Sequence, residues 1–102
     1  MTADQDPDLA RVTSRLQVAL GDALGKLRVT DAVLLAGFTR PSYRRGLLVA
    51  RALRGLGWKR GRYRFDGELA YAYARGTPLE RETVLAVERG DGGKLVVNRR
   101  EP

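Results

Sequence analysis

Residues 49–75 read VARALRGLGWKRGRYRFDGELAYAYAR, and the fold follows from how this stretch divides. Its first part has helical periodicity. On a helix turning about 100° per residue, Val49, Ala52, Leu53 and Leu56 share one face, whereas Arg40, Arg44, Leu47, Arg51 and Arg54 form a stripe nearly opposite. Gly57 is suited to end such a helix, and Trp58 to anchor it in a core. Beyond Trp58 the pattern changes to a period of two, centred on Asp66-Gly67, a pair that forms the tight two-residue turn of a β-hairpin. With that turn, Phe65 faces Glu68, Arg64 pairs with Leu69, Arg62 with Tyr71 and Arg60 with Tyr73 on one face. Tyr63 with Ala70 and Gly61 with Ala72 occupy the other. A slip of one residue would exchange the two faces, so the arrangement depends on the turn.

Working outward, residues 40–75 hold ten of the nineteen basic side chains and two acidic ones, a net charge of +8. The remainder of the chain sums to −1, and the whole chain to +7. A cationic surface this concentrated draws polyanions by releasing their counterions, without any sequence readout. Nucleic acid is therefore the first partner expected.

Upstream, Asp6-Pro7-Asp8 starts a helix, with Asp6 as its cap and Pro7 in its first turn. Leu9, Val12, Leu16, Ala19, Leu20, Ala23 and Leu27 recur at three- and four-residue steps, predicting a helix that ends near Gly25. Residues 26–29 fit one short edge strand. Thr30 is placed to cap a second, very apolar helix over 31–37, with Asp31 at its positive end. Either Thr39 or Ser42 can cap the third helix, spanning about 40–56, with Pro41 in its first turn.

Downstream, Thr77-Pro78-Leu79-Glu80 has the form of a capping box and allows a helix to about Arg89. The apolar runs 83–87 and 94–97 around a Gly-rich turn instead predict a second hairpin after one helical turn, the preferred reading. Arg99 and Arg100 are expected in a frayed tail.

The order helix, short strand, helix, turn, basic helix, basic hairpin over residues 9–75 resembles a winged-helix DNA-binding domain, an α+β fold. It is similar to modules of bacterial and phage regulators and of replication primase-helicases, in which a helix ending in LGW runs into an arginine-rich wing. The resemblance implies a three-helix core with a basic hairpin wing over residues 7–76, a disordered tail at 1–6 and an interaction or capping extension at 77–102. It further implies that helix 40–56 enters the major groove of double-stranded DNA and that wing 58–75 lies on the backbone. Arg40, Arg44 and Arg51 would contact phosphates or guanine edges, with Arg45 and Arg54 beside them, and Lys59, Arg60, Arg62 and Arg64 would hold phosphates. Tyr71 and Tyr73 share the basic face, as hairpin packing first and as stacking surfaces second. Few Asn, Gln or Ser residues stand on this helix, which argues against stringent reading of bases.

No cysteine and no histidine are present, so thiolate and imidazole metal sites and the commonest general base are excluded. The scattered carboxylates form no acid–base pair, and the expectation is a protein without catalytic residues, metal or cofactor. The apolar runs are too short to span a bilayer and the N-terminus is acidic, so a cytoplasmic, nucleoid-associated protein is expected, in transcription regulation or DNA processing. RNA or ribosome association is the alternative partner. A protein-interaction module using residues 83–97, in a homodimer or larger complex, is another.

Overall fold

A computed structural model describes residues 6–40 and 42–101. In chain order the elements are α1 (Pro7–Leu20), β1 (Gly25–Arg28), α2 (Val29–Leu35), α3 (Tyr43–Gly55), β2 (Lys59–Phe65) and β3 (Glu68–Arg75), followed by β4 (Val84–Arg89) and β5 (Leu95–Arg100). A single 3₁₀ turn at Glu80–Glu82 precedes the last two strands, and a glycine-rich turn at Asp91–Gly93 joins them. The result is an α+β architecture of three helices and one five-stranded sheet in the order β2-β3-β1-β4-β5.

α1 starts as its sequence dictates: an Asp6 carboxylate oxygen accepts the N–H groups of Asp8 and Leu9, and Pro7 occupies the first turn. Asp6 is thus part of the fold, whereas residues 1–5 of the expected tail lie outside the described residues. Val12, Leu16 and Leu20 bury one stripe of the helix. The helix stops at Gly21, earlier than expected, because the apolar residues that continue its spacing serve other elements. Ala23 is buried in the connecting loop and Leu27 lies at the centre of β1.

β1 is not an edge strand. It pairs antiparallel with β3 on one side, Leu27 opposite Tyr73, and parallel with β4 on the other, at Lys26 and Val84. α2 follows without a linker, so it begins at Val29 with Arg28 in the cap position, and Thr30 falls inside the first turn instead of capping it. α3 is capped by Ser42, whose hydroxyl accepts the N–H of Arg45 at 3.2 Å. The helix therefore begins at Tyr43, and Arg40 precedes it in a bend rather than belonging to it. Pro41 lies outside the described residues. At the other end Trp58 N–H donates to Leu53 O at 2.9 Å and Gly57 N–H to Arg54 O at 3.1 Å, a Schellman closure that turns Trp58 into the core.

The β2–β3 hairpin has the expected register at every position from Lys59–Ala74 to Phe65–Glu68. Asp66 (φ 52°) and Gly67 (φ 86°) both adopt left-handed backbone, the type I′ geometry that matches the strand twist and that Gly accepts without strain. Residues 77–100 also form the expected turn and hairpin. Thr77 N–H donates to a Glu80 carboxylate oxygen and Glu80 N–H to the Thr77 hydroxyl, bonds that hold the Glu80 carboxyl below its ordinary pKa. Val87 then pairs with Val97 in the β4–β5 ladder. One expectation for this segment fails. Arg99 and Arg100 are not frayed: they pair with Leu85 and Val84, and Arg100 bonds Glu88. β4 completes the sheet beside β1, and Leu85 is 1% exposed in the same core cluster as Leu16, Leu27 and Leu53.

Among the described residues, no helix is long and apolar enough to cross a membrane.

Candidate nucleic-acid interface

α3 presents two faces of opposite character. Leu48, Val49, Ala52 and Leu53 are buried, while Tyr43, Arg44, Leu47, Arg51 and Arg54 are exposed on the far side. The exposed ridge is therefore mixed: Tyr43 is 84% and Leu47 48% exposed between the guanidinium groups. Tyr43 has no place in the expected stripe, because its membership depends on the helix starting there. Once Ser42 fixes that start, the steps 43, 47, 51 and 54 become visible as one ridge.

The hairpin reaches this ridge through Tyr73. The ring lines a hollow of about 250 Å³ together with Tyr43, Leu47 and Ala50 of α3 and Arg60 of β2. Burial raises the Tyr73 phenol above its ordinary pKa, and the guanidinium groups of Arg60 and Arg54 pull it partly back. The hollow joins Arg60 of the hairpin to the exposed Tyr43 and Leu47 of α3, so the two elements share one surface there. Tyr73 itself is 2% exposed, a correction to its place among candidate contacts: it joins the helices to the sheet and is closed to a ligand. Tyr71 is 60% exposed, and the guanidinium carbons of Arg60 and Arg62 lie 5.6 and 5.8 Å from its ring centre. That stack orders both arginines outward.

The other basic candidates divide by what they touch. Arg51, Arg54 and Arg62 are exposed without ion-pair partners among the described residues. Arg44 is exposed and pairs with Asp8 of α1 at 3.3 Å. Arg45 is half-buried: it donates to the Arg40 carbonyl at 2.7 Å and lies 5.3 Å from the Phe38 ring, closing the turn between α2 and α3. Arg64 donates to Gly67 O at 3.1 Å across the hairpin turn. Lys59 alternates to the opposite face of β2 from Arg60, away from the shared surface. Arg75, part of the same dense run of basic residues, is engaged wholly in structure. Its guanidinium donates to Gly21 O, Ala23 O and Leu56 O and stacks 4.7 Å from the Trp58 ring.

Two further arginines, Arg11 and Arg15, stand beside Arg44 on the α1 side of α3, lining one cleft with Arg40 and Arg45. Their spacing of four places them on one side of α1, but nothing local to residues 11–15 indicates that α1 lies against the start of α3. No grouping of three or more acidic, His or Cys side chains suited to a metal occurs among the described residues. No family model, curated protein or solved structure matches the chain, so the interface stands on its own geometry.

Proposed function

We propose that this chain is a non-enzymatic nucleic-acid-binding protein of winged-helix type that engages double-stranded DNA, as a small regulator or a DNA-processing accessory factor. The observation that carries the reading is the hollow shared by Tyr43, Leu47 and Ala50 of α3 with Arg60 and Tyr73 of the β2–β3 hairpin, which brings the exposed faces of the two arginine-bearing elements side by side. In this reading the ridge of Tyr43, Leu47, Arg51 and Arg54 enters the major groove, and Arg60, Arg62 and Tyr71 follow the adjacent backbone. A ridge helix suits the wide major groove of B-form DNA better than the deep, narrow groove of an RNA helix, which favours DNA over the RNA alternative. With Leu47 and Tyr43 able to meet thymine methyls and base edges, sequence preference is modest, and phosphate contacts supply most of the affinity.

Arg51→Ala and Arg62→Ala, titrated against duplex DNA over a range of salt, are each expected to weaken binding and to make the log–log salt slope shallower by about 0.9 per phosphate contact removed. Unchanged affinity and slope in both variants would refute the interface. Competition between duplex DNA and duplex RNA at matched salt is expected to favour DNA, and equal or stronger competition by RNA would transfer the surface to that partner.

A further inference from the structure

We infer that the cleft between α1 and the start of α3 is a second phosphate-binding site, one that grips the sugar–phosphate strand of a bound duplex outside the groove. The inference rests on the DNA-binding reading above. The cleft has a volume of about 700 Å³ and gathers five arginines, Arg11 and Arg15 from α1 and Arg40, Arg44 and Arg45 from the turn and first residues of α3, against a single carboxylate, Asp8. Guanidinium groups stay charged at every physiological pH, so the excess of four positive charges is permanent.

A row of surface arginines is ordinarily a solvated face, but two of these are already held in place, and a third, Arg15, lies with its guanidinium against the bare backbone of Gly37. Arg45 is fixed by the Arg40 carbonyl and by the Phe38 ring. Arg44 is held by Asp8 in an exposed pair at 3.3 Å that a phosphate can displace. Guanidinium groups on two sides of a concave surface, those of α3 already held, suit the two free oxygens of a phosphodiester. Arg44 also borders the exposed ridge of α3, so a strand leaving the groove over Leu47 and Arg51 passes directly into the cleft.

The test compares Arg11→Gln/Arg15→Gln, Asp8→Asn and Arg51→Ala in the full chain, each titrated with a mixed-sequence DNA duplex over a range of salt. The double variant is expected to bind about tenfold more weakly at physiological salt, with a slope shallower by about two contacts. Asp8→Asn is expected to bind more tightly, because Arg44 is released and the one repelling charge is removed. Thermal unfolding confirms that the variants fold, and Arg11→Gln alone, expected to lose about one contact, replaces the double variant if that does not. Wild-type affinity and slope in both cleft variants, with Arg51→Ala still weakened, would overturn the cleft and leave the α3 reading intact. A weakened double variant beside a silent Arg51→Ala would support the cleft and refute α3 as the groove element. Inorganic phosphate added at constant ionic strength is expected to leave duplex binding unchanged, and competition at low concentration would replace the strand by a small phosphate ligand.

Discussion

Arg75→Met is expected to lower the unfolding free energy by about 3 kcal/mol and the thermal midpoint by about 15 °C, without loss of DNA affinity in the folded variant. The argument begins with what helix ends require. The last carbonyls of a helix have no partner within it, and carbonyls left unsatisfied in a partly buried position cost about 1–3 kcal/mol each. α1 and α3 both end near the close of β3, and Arg75 answers both. Its Nη2 donates to Gly21 O and Ala23 O at 2.7 Å, its Nε to Ala23 O at 3.1 Å and its Nη1 to Leu56 O at 3.1 Å. The planar fork then lies over Trp58, whose indole N–H has no partner among the described residues. Methionine preserves much of the packing and none of these bonds. Lysine keeps the charge but not the fork, so Arg75→Lys is expected to recover less than half of the loss. A midpoint within about 2 °C of wild type for Arg75→Met would show that solvent serves the three carbonyls equally well. Because this guanidinium is committed to the fold, the residue that belongs to the basic run by sequence contributes nothing to the expected salt slope. Arg51 and Arg62 provide the contrast: in the proposed interface their removal is expected to act on binding and scarcely on stability.

What could be read from the sequence was whatever its own neighbours determine. Asp66-Gly67 sets the hairpin register, and the apolar spacing of Val49, Ala52 and Leu53 sets the buried side of α3. Ser42 was one of two possible caps, and only the folded chain chooses between it and Thr39. Tyr71 and Tyr73 illustrate the limit. Register correctly puts them on one face of β3, yet the β1–β3 ladder runs only from Gly25–Arg75 to Arg28–Ala72. Tyr73, opposite Leu27, is covered by the helices, whereas Tyr71 lies just past the end of that ladder and is open to solvent. No periodicity within β3 distinguishes the two positions. The same holds for the pairing of β1 with β4 and for the approach of Arg44 to Asp8, 36 residues away along the chain. Such contacts are fixed by packing across long separations, and a local pattern carries no trace of them.

The parallel junction between β1 and β4 makes Gly25 the most constrained glycine in the sheet. Gly25 pairs with Arg75 on one side, and a Cβ built on it would lie 2.5 Å from the carbonyl oxygen of Thr83 and 3.3 Å from Cγ of Leu85. Its φ of +149° is also one that side-chain-bearing residues rarely adopt. Gly25→Ala therefore combines backbone strain with a collision against backbone, which cannot rotate aside as a side chain could, and the expected loss is about 3 kcal/mol. Little holds the junction against such a displacement: the ladder pair Lys26–Val84 and the bond from Lys26 N–H to Thr83 O at 2.9 Å. Moving β4 also withdraws Leu85 from the core it shares with Leu27 and Leu53, so the loss is expected to be global. All spectroscopic probes should then report one transition, shifted down by about 15 °C. Gly46→Ala supplies the opposite sign: the position is helical, has no positive φ and has open space where the methyl would go, so a gain of about 0.5–1 kcal/mol is expected. Hydrogen exchange on Gly25→Ala separates the two ways in which β4 can respond. Uniform loss of protection is the expected result, whereas exchange enhanced only over β4 and β5 would mean that residues 84–100 detach as a unit and that the remaining three strands and three helices hold the proposed DNA surface without them.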